Sequence, residues 1–374
     1  MRFTTALVVI LFSSSVALPC SFCGDGFAKR QTFRSHFNDA KLVVAGVLKN
    51  PKANADGLGG TTEFHVTNTL KAADGVDAKV IIIPRYLPII GATPADYLFF
   101  CAITDGKIDP VHGVASSGAL EKYLTTAAKL PGNKPAESLA FFFAHLDSHD
   151  EAISNDAFLE FAKASDADLT AAAKAFDRTK LRTWIADAKV PEDRLGVYAL
   201  LLGLNGTADD AAWLTQQLTA TPRPERYSTH LGGLLAGLTV LDPARGWPLI
   251  QKMLADKECP FIEKLSLLGT LRFFQTTRPK ESHEQILAAC KVLLKDGDFA
   301  DLAMDDLRRW GWWDLTDMVL ANFGQPGFTS PMARRGIVRY ALTCPNAEAK
   351  AFVEKVKLSD AKLVATVEAS LKIK

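Results

Sequence analysis

Between Lys41 and Val114 the apolar residues fall in short runs separated by turn residues, and beyond Ser117 they recur at three- and four-residue spacing. The first texture predicts strands and the second helices. Residues 42–48 form a β-rich run ended by Asn50-Pro51, and 61–70 alternates in part, with Phe64 and Val66 on a shared side. Further strands are expected over 78–84, 97–103 and 108–114, with glycine-bearing turns at 56–60, 73–75 and 104–106. Strands of this length predict a small, strongly curved sheet or barrel over 18–115.

From residue 116 onward the expected architecture is all helical. Helices are expected over 120–130, 137–146 and 178–188, with Ser154-Asn155-Asp156 and Ser165-Asp166 as caps of two more. A quasi-repeat then appears. Leu195-Gly196, Leu231-Gly232 and Leu268-Gly269 recur every 36 or 37 positions, Ala303-Met304 lies in a less similar helix, and Arg335-Gly336 restarts the theme. Each anchor reads as a buried helix followed by an amphipathic one, the texture of a HEAT-like α-solenoid in which neighbouring pairs cover each other's apolar faces.

The N-terminus changes the picture of where the chain works. Arg2, the apolar stretch 6–12 and the small residues Ser15-Val16-Ala17 have the layout of a secretory signal, with cleavage expected after Ala17. A membrane span needs roughly 20 apolar residues, and Pro19 interrupts the run too early for that. Leu18-Pro19 before Cys20 is a poor lipobox, so a lipidated cysteine is the lesser alternative. The expected location is therefore the periplasm or the extracellular space, with envelope association open.

Of six cysteines in the 374 residues, three lie in the N-terminal region: Cys20, Cys23 and Cys101. Export permits disulfides. The Cys20-x-x-Cys23 spacing also admits a redox dithiol or half of a zinc site. Zinc would need two more ordered ligands, and no second cysteine pair or His-x-x-His cluster is present. The expected role is a clip joining the N-terminal segment to Cys101. Two early cysteines followed by DAKLVVAGVLKN, TEFHVTNTLKAADG and DYLFFCAI resemble the netrin-like, tissue-inhibitor-of-metalloproteinase type of OB barrel. That resemblance implies a closed barrel whose N-terminal segment is pinned to a later strand, and Cys20 and Cys101 match it best. It departs from the family in the Cys20-x-x-Cys23 spacing and in having one later cysteine. Metalloproteinase inhibition is not carried over, because Leu18 and Pro19 would precede the first cysteine of the mature chain.

Charge narrows the partners. The formal net charge is +1, without the basic stripes of a nucleic-acid binder. Asp147-Ser148-His149-Asp150-Glu151 fails as a calcium loop, because Ala152 and Phe158 stand where glycine and a bidentate glutamate are needed. His145 and His149 share helix spacing only if their helix continues past Asp147. The densest unusual stretch is Asp305-Asp306, Arg308-Arg309, then Trp310, Trp312 and Trp313 around Gly311. Those tryptophans read as a binding platform or as an inter-repeat core plug. No nucleophile elbow, Walker loop, dinucleotide fingerprint or zinc-protease motif occurs, and no cofactor is expected. The expected function is a non-catalytic interaction or scaffold protein of the cell envelope, partnered by another envelope or extracellular protein. The alternative is a thiol-active or other extracytoplasmic enzyme using Cys20 and Cys23.

Overall fold

The computed structural model describes residues 30–56, 58–76, 78–89 and 96–372, divided into two units between Ala175 and Phe176. The segment 1–17 read as a signal, and Cys20 and Cys23, lie outside the described residues.

In the first unit a short helix, α1 (Phe33–Asp39), leads into five strands: β1 (Leu42–Ala53), β2 (Gly60–Lys71), β3 (Val80–Ile83), β4 (Asp96–Thr104) and β5 (Lys107–Ala115). All neighbours pair antiparallel, in the order β3-β2-β1-β4-β5. Leu42, Val43, Val44 and Ala45 are all buried, so the centre of the sheet is covered on both faces. One face carries Leu42, Val44, Leu48, Phe64, Phe99 and Cys101. On the other, Phe100 meets the rings of Phe33 and His36 from α1 at 6.2 and 5.5 Å. Each such buried leucine or phenylalanine contributes about 1.5–3 kcal/mol relative to exposure.

The sheet is not a closed barrel, and the OB, netrin-like expectation fails. β3 pairs only with β2 and β5 only with β4, so among the described residues no ladder joins the two edges. Register shifts at Val43/Val44, Ala45/Gly46 and Lys49/Lys52 bend β1 against β2. At Gly46 a Cβ would run into the carbonyl of His65, which is why the strands can approach there. Alternation and turns are visible in sequence, but closure depends on strand number and stagger, which short motifs do not encode. β1 also runs through Asn50-Pro51, where Asn50 takes a positive φ of 49° and the register shifts, instead of ending there.

Four helices complete this unit: α2 (Gly118–Ala127), α3 (Pro135–Phe143), α4 (Glu151–Lys163) and α5 (Asp166–Ala172). Ser117 caps α2 by accepting from the Leu120 amide at 3.0 Å, and Ser165 caps α5 by accepting from Asp168 at 3.1 Å. The cap of α4 is Asp150 rather than Ser154, whose buried hydroxyl donates to the Leu146 carbonyl at 2.8 Å.

The second unit is helical: α6 (Arg178–Ala186), α7 (Leu195–Asn205), α8 (Ala208–Thr219), α9 (Glu225–Thr229), α10 (Leu231–Leu241), α11 (Pro243–Ala255), α12 (Phe261–Thr277), α13 (Pro279–Leu293), α14 (Ala300–Trp310), α15 (Thr316–Ala321), α16 (Pro331–Thr343), α17 (Ala347–Ser359) and α18 (Ala361–Lys372). The anchors of the quasi-repeat fall in α7, α10, α12, α14 and α16. α7 packs on α10, α10 on α12 and α14 on α16, while the companions α11 and α13 pack on each other. The second unit is thus a helical region of packed helix pairs.

Glycines set the closest crossing. A Cβ on Gly237 of α10 would fall on the Ala199 carbonyl of α7, and one on Gly233 would fall on Gly196 Cα. Small residues on both faces let the two backbones touch. α7 and α10 are buried almost all round, as their near-continuous leucines and glycines require.

Candidate functional site

The expected disulfide at Cys101 is not present among the described residues. Cys101 is a free thiol, fully buried and opposite Leu42 in the sheet register. Strand alternation aims it with Phe99 into the core, where surrounding side chains enclose the sulfur. Burial, with Asp109 adding to it, pushes its pKa up to about 12, so it does not form a thiolate. Cys290 is likewise buried and pushed up to about 12 by burial and by Asp306, while Cys259 is only half-buried. Iodoacetamide labelling of the folded chain with peptide mapping should therefore modify Cys259 well before Cys101 or Cys290. Early modification of Cys101 would place its thiol outside the core.

A polar cluster lies in the first unit, around a cavity of about 430 Å³ lined in part by Phe33, His36, His112, Asn155 and Asp156. The β4–β5 register sets His112 opposite Phe100, and α1 brings His36 over both. The two imidazoles stack at 4.1 Å with only 4° between their planes. Rings held parallel aim their nitrogen lone pairs side by side rather than at one point, which is the wrong geometry for a shared metal ion. Both histidines are pushed below the ordinary imidazole range by burial, and at His36 the neighbouring His112 adds to this while Asp39 opposes it.

Asp156 is the centre of this cluster. It is 5% exposed, and one carboxylate oxygen accepts from the Phe33 amide at 2.6 Å while the other accepts from the Tyr123 hydroxyl at 2.8 Å. Burial raises its pKa to about 6 despite those two donors. One turn further along α4, Glu160 accepts from Arg34 at 2.6 Å. The two acids thus fasten α1 to α4; both Asp156 oxygens are engaged, whereas Glu160 pairs through Oε2 and its buried Oε1 has no hydrogen-bond partner.

The tryptophans predicted as a surface separate into two groups. Gly311 follows α14 in the left-handed conformation, φ 70°, and the Trp312 amide folds back to donate to the Leu307 carbonyl at 2.9 Å. That reversal sets Trp310 and Trp312 5.2 Å apart, with His283 of α13 edge-on to Trp312 at 4.4 Å. All three rings belong to residues left partly exposed. Trp313 turns instead onto Tyr340 of α16 at 5.0 Å, where the Tyr340 hydroxyl donates to the Trp312 carbonyl at 3.4 Å. All three tryptophans are half-buried: Trp310 and Trp312 pack on each other and on His283, and Trp313 packs between helices on Tyr340.

Sequence reasoning missed a groove of about 580 Å³ between α14 and α16. Asp305 is held there by Arg308 and Arg309, each at 2.8 Å, while Asp306 is buried and pairs with Arg272 of α12 at 2.8 Å. The signal available was the stripe Met332, Arg335, Arg339 at three- and four-residue spacing. It also missed the His36–His112 stack, whose members lie in separate elements with no local pattern. His145 sits beyond the end of α3, its Nδ1 2.9 Å from the Phe141 carbonyl, and His149 is exposed, so the two do not share a helix face. No cluster of three or more His, Cys, Asp or Glu side chains with metal-binding geometry occurs among the described residues. No family model matches the chain, and no curated protein matches it.

Proposed function

We propose that this chain is an exported, non-catalytic interaction protein of the cell envelope whose helical unit binds a partner protein. The observation that carries this reading is the partly exposed aromatic cluster of Trp310, Trp312 and His283. Large rings left half-buried keep apolar area that a partner could cover, and tryptophan is enriched among the residues that dominate interface energies. The condition of the reactive groups supports a non-catalytic role. Asp156 spends both oxygens on structure, Glu160 is paired, and burial suppresses the Cys101 and Cys290 thiolates. Export is supported by the layout of residues 1–17. No helix among the described residues is long and apolar enough to cross a membrane.

The test is complex formation in the native host. Wild-type protein from a detergent-free envelope extract should run on a sizing column above its own monomer. The Trp310→Ala/Trp312→Ala variant should return to the monomer position with an unchanged far-ultraviolet dichroism spectrum. Identical elution of the two proteins would defeat this reading of the surface.

A further inference from the structure

We propose that the groove between α14 and α16 is a docking site for an extended acidic peptide segment that also carries apolar side chains. This deepens the reading of the helical unit as partner-binding and rests on it. The groove is built from two facing stripes. Asp301, Met304, Asp305 and Arg308 recur at helix spacing along α14, and Met332, Arg335 and Arg339 do so along α16. The α14 stripe runs about 10 Å, the span of about three residues of extended chain.

Charge selects the occupant. Asp305 is neutralised by Arg308 and Arg309, and Arg334 is taken by Asp360 at 2.9 Å. Arg335 and Arg339 have no ion-pair partner among the described residues, although both line the groove. Arg335 is exposed and Arg339 half-buried, so the second guanidinium is already partly dehydrated and gains most from a carboxylate. Met332, 69% exposed, supplies an adaptable apolar contact, while Met304 lines the groove with almost no exposed surface. A flat anionic bilayer would meet the same arginines, but it would also meet Asp301, which has no ion-pair partner among the described residues and repels it. A narrow peptide can place its carboxylates on Arg335 and Arg339 and keep them away from that acid.

A fluorescein-labelled hexapeptide alternating glutamate and leucine is the probe, read by fluorescence anisotropy against the full chain. Saturable binding is expected. Arg335→Glu/Arg339→Glu should weaken it at least about tenfold, as should raising the salt to about 0.5 M, while the matching lysine–leucine peptide should not bind. Met332→Glu adds an anion in the groove without touching the arginines, and it should weaken binding even if the double variant misfolds. Equal affinity of wild type and these variants would overturn the proposal. So would the absence of peptide binding, or capture of phosphatidylglycerol vesicles in place of the peptide. If the peptide fails to bind while the Trp310/Trp312 variant still loses its complex, this groove is wrongly assigned and the interaction reading survives. Peptide binding with no complex at all would show the reverse.

Discussion

Asp156→Ala should destabilise the first unit by about 3 kcal/mol, measured by urea unfolding, because it leaves the buried Tyr123 hydroxyl and the part-buried Phe33 amide without acceptors. The Phe33 amide and the Tyr123 hydroxyl both end on this carboxylate; Phe33 lines the cavity, whereas Tyr123 is 3% exposed and does not, so most of the loss falls on the Tyr123 hydroxyl. Hydrogen exchange at Phe33 should accelerate with it, since α1 is fastened there. Asp156→Asn should stay within about 1 kcal/mol of wild type, because the amide oxygen still accepts from Phe33 and its NH2 can donate to Tyr123.

Wild type and Asp156→Asn should also differ in acid response. The folded-state pKa of Asp156 is raised from 3.8 to about 6 by burial. Its proton-linked stabilisation is therefore complete below 3.8 and is lost as pH rises through about 6. His36 and His112 act in the opposite sense, being held below 6.5 by burial. Their contribution is present above 6.5 and is lost as pH falls through their folded values. Protonating both would set two cations 4.1 Å apart, a repulsion of about 4 kcal/mol at an effective dielectric of 20. In wild type the two trends oppose each other between pH 7 and 5. Asp156→Asn removes one of them, so its melting temperature should fall over that interval more steeply than that of wild type. A parallel pH profile for the two proteins would show that Asp156 does not titrate in this window.

Gly237→Ala should cost the second unit about 3 kcal/mol, although alanine is the better helix former by about 1 kcal/mol. The new methyl would fall on the Ala199 carbonyl and 2.9 Å from Ala199 Cβ, and backbone cannot rotate away as a side chain can. α7 and α10 must separate, which loosens the most closely packed helix pair of the unit. For a unit of this size that corresponds to a fall in melting temperature of about 6–12 °C. Gly269→Ala is the matched control. It lies inside α12 with nothing within 4 Å of the added Cβ, so it should stabilise by up to about 1 kcal/mol. A destabilised Gly269 variant, or a neutral Gly237 variant, would mean that helix propensity rather than backbone approach governs these positions.

Local order was legible in the sequence wherever it depended on neighbouring residues. The runs that became β2, β4 and β5 show their own alternation and turns, and the Leu-Gly anchors mark the helices that pack in succession. Ser165 was readable as a cap because its oxygen serves an amide three positions away. Pairings across the chain were not readable in the same way. Whether β3 meets β5 depends on stagger accumulated over five strands, and the fate of Cys101 depended on which side of β4 it faced. His36 and His112 are joined only through α1 and the β4–β5 register. The cluster Trp310, Trp312 and Trp313 is unusual in sequence, but only the left-handed turn at Gly311 decides which of them stack together and which packs on Tyr340. Arg335 was noted as part of a repeat anchor, and its free charge appears only once Arg334, Arg308 and Arg309 are seen to be spent on other acids.

The interaction reading is tested most directly by mass analysis of photo-crosslinked adducts formed in the native host. A photo-reactive amino acid is placed at position 310 and, as a control, at the exposed Lys174. The expected adduct joins position 310 to one partner protein, is lost when Trp312 is also replaced by alanine, and carries a mature chain beginning at Leu18. A chain still beginning at Met1 would contradict export. Adducts at position 310 no more frequent or specific than at position 174 would contradict the partner-binding surface.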